Sequence, residues 1–145
     1  MVNIDEIPTW AHRAIIIILY LNNGEISKQK LCNFLYLIYK ELENIDPLED
    51  LDFYVNLKTK EIEIFTPSKD INIEDIISIL SRNGLINNYK GEIYLTDYGY
   101  KVAKAIMNDP EFKNEVNTVI SVLARYKDYS EGGLINLILE DLKHS

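Results

Sequence analysis

Cysteine is almost absent from this chain, and a single thiol excludes an internal disulfide. Cys32 stands alone between Leu31 and the pair Phe34-Leu35, the usual place for a buried, inert thiol. Histidine is nearly as scarce. His12 lies in the first helix and His144 at the chain terminus, with no cysteine at a metal-ligand spacing from either, so no metal site is expected. No glycine-rich phosphate loop and no G-x-S-x-G turn occur, and Gly132-Gly133 reads as a bend before a last helix. Asp50 and Asp52 lack the loop glycine of a calcium loop. These absences lead to the expectation of a non-enzymatic protein with no catalytic residues and no cofactor. The longest apolar run, Ala14 to Leu21, falls far short of the roughly 20 residues of a membrane span. No basic segment followed by an apolar run opens the chain, so a soluble, cytoplasmic protein is expected.

Basic charge is also in deficit, with 15 Lys and Arg against 23 Asp and Glu and a net charge of −8. That sign opposes the phosphate neutralisation behind nucleic-acid affinity. The deficit is concentrated. Glu41, Glu43, Asp46, Glu49, Asp50 and Asp52 fall in one stretch without a Lys or Arg, and the rest of the chain carries only −2. The stretch reads either as a solvated helix end and linker or as a docking patch for a basic partner.

What is present is strong periodicity over 145 residues, near the size of one domain. Thr9 is a good N-cap for a helix from Trp10 to Leu21, stopped by Asn22-Asn23-Gly24. The β-branched run Ile15 to Ile18 suggests a strand, but the length between caps favours a buried helix. Glu25-Ile26 is a short strand, and Ser27 caps a second helix from Lys28 to about Leu42 with Leu31, Phe34, Leu35, Ile38 and Leu42 on one face. Asp46-Pro47 ends it. Phe53, Val55 and Leu57, then Ile62 and Ile64, alternate about Lys58-Thr59-Lys60 as a hairpin closed by Pro67-Ser68. Asn72 caps a third helix with Ile73, Ile76, Ile77 and Leu80 inward. Leu85-Ile86 and Ile93-Tyr94-Leu95 pair across Asn87 to Gly91 as a second hairpin. Thr96 caps a helix lined by Tyr98, Val102 and Ile106. Pro110 opens a helix from Glu111 to about Arg125, and a last helix starts after Ser130.

His12-Arg13 with an apolar first helix, Lys28-Gln29-Lys30-Leu31 before Phe34-Leu35, then Leu80, Gly84-Leu85-Ile86 and Tyr94-Leu95-Thr96-x-x-Gly99, resemble the YwgA-like and Panacea-type winged-helix proteins of prokaryotes. The resemblance spans nearly the whole chain, including Tyr126-Lys127-Asp128 and Leu134. In the turn Phe65-Thr66-Pro67-Ser68 this chain keeps only part of the aromatic-Gly-Pro-aromatic-Ser pattern frequent in such proteins. The expected fold is mainly α with small β (α+β): one winged-helix domain, with an inserted hairpin at about 53–66 and two trailing helices over 108–145. The resemblance implies a regulatory role, either DNA binding or engagement of a protein partner in the manner of antitoxin-like or adaptor-like members.

A DNA-binding transcription regulator is the first expectation. The third helix would enter a major groove with Ser78, Ser81, Arg82 and Asn83, Lys90 would touch backbone from the second hairpin, and Lys28, Gln29 and Lys30 would hold phosphate at a helix start. Tyr89, Tyr94, Tyr98 and Tyr100 invite base stacking, although tyrosine is more often the edge of a core. The alternative is a protein-protein interaction module using the acidic 41–52 segment. Two features bear on the choice. The cations are few, and some thirty residues separate helices that a helix-turn-helix joins in about 3 or 4. The stripe Phe112, Val116, Val119, Ile120 and Leu123 reads either as packing on the body or as the interface of a homodimer, and the homodimer is expected.

Overall fold

The computed structural model describes residues 6–43, 52–56, 58, 61–65 and 72–143. The order is α1 (Trp10–Leu21), β1 (Glu25–Ser27), α2 (Lys28–Glu43), β2 (Asp52–Asn56), β3 (Glu61–Phe65), α3 (Ile73–Arg82), β4 (Ile86–Tyr89), β5 (Glu92–Leu95), α4 (Asp97–Met107), a 3-10 turn over Pro110–Phe112, α5 (Lys113–Tyr126) and α6 (Glu131–Lys143). The molecule is mainly helical with a small three-stranded antiparallel sheet of order β1-β5-β4; β2 and β3 pair separately as an antiparallel hairpin.

α1 is the axle. Ile15, Ile16, Ile17, Ile18 and Leu19 are all buried, so the helix is enclosed all round rather than amphipathic. It packs against α2, α4, α5 and β5. Burying a helix on every side leaves no competing strand register for a β-branched run, and the cap decides the start. Thr9 Oγ1 accepts from the His12 backbone N–H at 3.4 Å.

α3 begins at a reciprocal capping box. The Asp75 N–H donates to the Asn72 side chain at 3.1 Å, and the Asn72 N–H donates to the Asp75 carboxylate at 2.9 Å. Ile73, Ile76, Ile77 and Leu80 face inward, as the spacing predicts. Asn56 and the other paired residues of β2 and β3 bridge part of the thirty-residue separation, and β3 packs on both α2 and α3. Lys28 at the head of α2 forms an ion pair with Glu74 at the head of α3. The two helix starts are therefore neighbours despite their distance in the chain. Leu57, Thr59, Lys60, Pro47, Pro67 and Ser68 lie outside the described residues.

Four local expectations are corrected. The hairpin β4–β5 closes on Lys90-Gly91 alone, not on a five-residue loop: both residues take positive φ, +50° and +81°, as a tight type I′ turn requires, and pairing extends to Tyr89 and Glu92. Tyr98 does not line α4. It is exposed and donates to the Glu6 carboxylate at 2.8 Å, while Gly99 takes the inward place because a side chain there would collide with the Leu85 carbonyl. Gly132-Gly133 is not a bend but the first turn of α6, held by Ser130, whose Oγ accepts from the Gly133 N–H at 3.0 Å. Finally, Pro110 opens a 3-10 turn rather than α5 itself, with Asp109 as its cap.

Candidate functional site

The stripe on α5 is used inside the chain. Phe112, Val116, Val119 and Leu123 are buried against the body, and of that set only Ile120 is exposed, at 39%. Arg13 of α1 clamps the same helix, donating through Nε and Nη2 to the Glu115 carboxylate at 2.7 and 2.6 Å while its guanidinium lies 4.7 Å from the Phe112 ring centre. These four side chains therefore form core rather than the expected homodimer interface. Periodicity reports which face is apolar, not which neighbour covers it.

The head of α2 is also engaged. Ser27 Oγ accepts from the Lys30 N–H at 3.2 Å and is bonded to the Glu131 carboxylate of α6. Lys30 Nζ donates to the Lys127 carbonyl at 3.0 Å, and Lys28 is paired with Glu74. Gln29 is half-buried, with its Nε2 lacking a partner among the described residues. The backbone N–H groups of Lys28 and Lys30 donate to the Gly91 carbonyl and to Ser27 Oγ, so both cations and two of the N–H groups expected to hold phosphate at Lys28, Gln29 and Lys30 are engaged within the chain.

On α3, Ser78, Ser81, Arg82 and Asn83 are exposed, as is Lys90 at the hairpin tip. The first turn of that helix carries Glu74 and Asp75, both exposed. The face is thus mixed in charge.

A different surface is more strongly formed. Between α2, the end of α5 and α6 lies a groove of about 480 Å³ with Leu37, Leu137 and Tyr126 along its floor and Glu41, Glu43, Glu140 and Asp141 among its walls, with Lys40 as a lining cation. Its apolar floor exists because α6 buries Leu134, Ile135 and Ile138 against α2 while leaving Leu137 half-covered. Arg125 reaches Glu41 at 3.5 Å from the rim. The negative field is felt by the Tyr36 hydroxyl, whose pKa is pushed up to about 12 by burial first and then by the Asp141 and Glu43 carboxylates. Glu41 and Glu43 come from the acidic stretch anticipated as a docking patch. Asp46, Glu49 and Asp50 lie outside the described residues, and Asp52 is placed in β2 opposite Phe65. Glu140 and Asp141 are nearly a hundred residues away, and no local pattern in the sequence joins them to Glu41.

His12 is buried, 4% exposed, with Nδ1 2.7 Å from Thr9 Oγ1. The Thr9 hydroxyl accepts from a backbone N–H and has its own proton to give Nδ1, which leaves the Nε2–H buried without a partner among the described residues. Burial, and then the Arg13 charge, lower its pKa to about 4. It is a neutral core histidine. No group of three or more His, Cys, Asp or Glu suited to a metal occurs among the described residues, and no helix there is long and apolar enough to cross a membrane. Comparison of the chain with protein-family models, with curated proteins and with solved structures finds no match.

Proposed function

We propose that this chain is a non-enzymatic binding module of winged-helix type that takes a basic segment of a protein partner into its acidic groove. The order of helix, strand, helix, then helix and hairpin, with the sheet arranged β1-β5-β4, supports the winged-helix reading, with β2–β3 as the insertion and α5–α6 as the trailing helices. The observation that carries the functional reading is the groove. Four carboxylates around an apolar floor suit an amphipathic helix with Lys or Arg on one side and Leu on the other. The test is fluorescence anisotropy with a labelled amphipathic Lys-Leu peptide. A variant combining Glu41→Gln, Glu43→Gln, Glu140→Gln and Asp141→Asn is expected to bind about tenfold or more weakly. Unchanged affinity would overturn the proposal.

DNA binding is the second reading, favoured by the common exposure of Ser78, Ser81, Arg82, Asn83 and Lys90. It ranks lower because the helix that would enter a major groove carries two acids in its first turn and because Lys28 and Lys30 are engaged. A duplex shifted at low salt and released by Arg82→Ala with Lys90→Ala would restore it to first place.

A further inference from the structure

The three-stranded sheet leaves Tyr89 and Tyr94 exposed on its outer face. Alternation along the strands places Ile26, Ile93 and Leu95 inward, and the register sets Glu25, Tyr94 and Asn87 in one outward row and Ser27, Glu92 and Tyr89 in the next. Tyr94 is thus flanked by the Glu25 carboxylate on one side and the Asn87 amide on the other, and Tyr89 stands directly opposite Glu92. Tyr89 is diagonal to Tyr94, where backbones lie roughly 7 to 8 Å apart and aromatic side chains reach one another. No helix among the described residues covers these rings: Tyr89 is 63% exposed and Tyr94 36%. β4 is the terminal strand of the sheet.

Exposed tyrosines on a rigid hairpin are costly for solubility and useful for recognition, since aromatic side chains concentrate in the cores of protein interfaces. The neighbours choose the partner. Two carboxylates in the outward rows repel phosphate, which argues against stacking on nucleotides. A ring face beside a carboxylate suits guanidinium, which stacks on the aromatic plane and donates to the carboxylate in the same pose. A cation already meets one of these rings within the chain, with Lys90 Nζ 5.3 Å from the Tyr89 ring centre. We propose that this sheet face binds an extended, arginine-bearing segment of a protein, with Tyr94–Glu25 and Tyr89–Glu92 as two guanidinium subsites and the Asn87 amide on the segment's backbone. The surface is separate from the groove and stands or falls without it.

The test titrates the full chain with a capped Arg-Thr repeat hexapeptide, its citrulline counterpart of the same shape without charge, and a single-stranded oligouridylate, followed by amide shifts in NMR spectra. The arginine peptide is expected to move β4 and β5 resonances, and citrulline to bind at least tenfold more weakly. Tyr89→Ala with Tyr94→Ala, and separately Glu25→Gln with Glu92→Gln, are each expected to weaken the arginine peptide at least fivefold, while Glu140→Gln with Asp141→Asn leaves it unchanged. These surface changes keep the fold, which circular dichroism checks. Equal binding of citrulline, shifts confined to α2 and α6, or preference for the oligouridylate would each overturn the proposal.

Discussion

Lys28 and Glu74 form an ion pair that joins the first residue of α2 to the first turn of α3 across forty-five intervening positions of sequence. The pair is partly exposed, with side chains 35% and 53% accessible, so it contributes little stability. It does engage Lys28, one of the few cations expected to meet phosphate. Glu74→Gln is expected to change the unfolding midpoint in urea by less than about 1 kcal/mol of stability. It also frees Lys28, and gel shifts then decide between the two functional readings: a duplex retained more tightly than by the wild type supports DNA binding, and no gain supports the protein-partner reading.

The close approach of Gly99 to the Leu85 carbonyl oxygen and the Leu95 side chain leaves no room for a methyl group. Gly99→Ala is expected to cost about 1 to 3 kcal/mol, since backbone must move to admit the added carbon. Gly132, in the first turn of α6, meets nothing within 4 Å. Gly132→Ala there is expected to stabilise by up to about 1 kcal/mol through helix propensity. Paired urea melts check both signs.

Charge on the α5 stripe is expected to unfold the chain rather than divide a dimer. Val119→Asp or Leu123→Asp buries an unpaired carboxylate at a position 1% or 3% exposed and is expected to cost on the order of 4 kcal/mol. Ile120→Asp, on the exposed side, is expected to leave the melt within about 1 kcal/mol of the wild type. Circular dichroism with light scattering separates loss of fold from loss of association.

His12 makes the fold sensitive to acid. Its pKa is lowered from 6.5 to about 4 on folding, so protonation favours the unfolded chain. The neutral-state stability is fully present above about pH 6.5, falls by about 1.4 kcal/mol per pH unit below it, and levels off near pH 4. The total is on the order of 3 kcal/mol. Carboxylates titrate in part of the same window, so the measure is the difference between wild type and His12→Gln. That difference is expected to narrow or reverse in favour of the variant between pH 7 and pH 4.5, and a constant difference would count against the assignment.

The helices were legible because their signals are local. Thr9, Ser27, Asn72 and Thr96 cap where a side-chain oxygen precedes an apolar stripe, and the inward stripes of α2 and α3 follow from spacing alone. Local signals failed where a distant group competes. Tyr98 leaves the α4 stripe because Glu6 and the Leu85 backbone decide that surface, and Lys28 and Lys30, expected to meet phosphate, are engaged by Glu74 and the Lys127 carbonyl from distant parts of the chain.

By itself, then, the amino-acid order determined the succession of elements, the caps at Thr9, Ser27, Asn72 and Thr96 and the inward stripes of α2 and α3, because each depends on residues three or four apart and on backbone geometry. Which apolar face meets which neighbour, which cations remain uncommitted, and how Glu41 and Glu43 join Glu140 and Asp141 around one groove were decided only by tertiary structure. Those outcomes depend on contacts between segments a hundred residues apart, where charge and burial are set by what arrives in space rather than by what stands next in the chain.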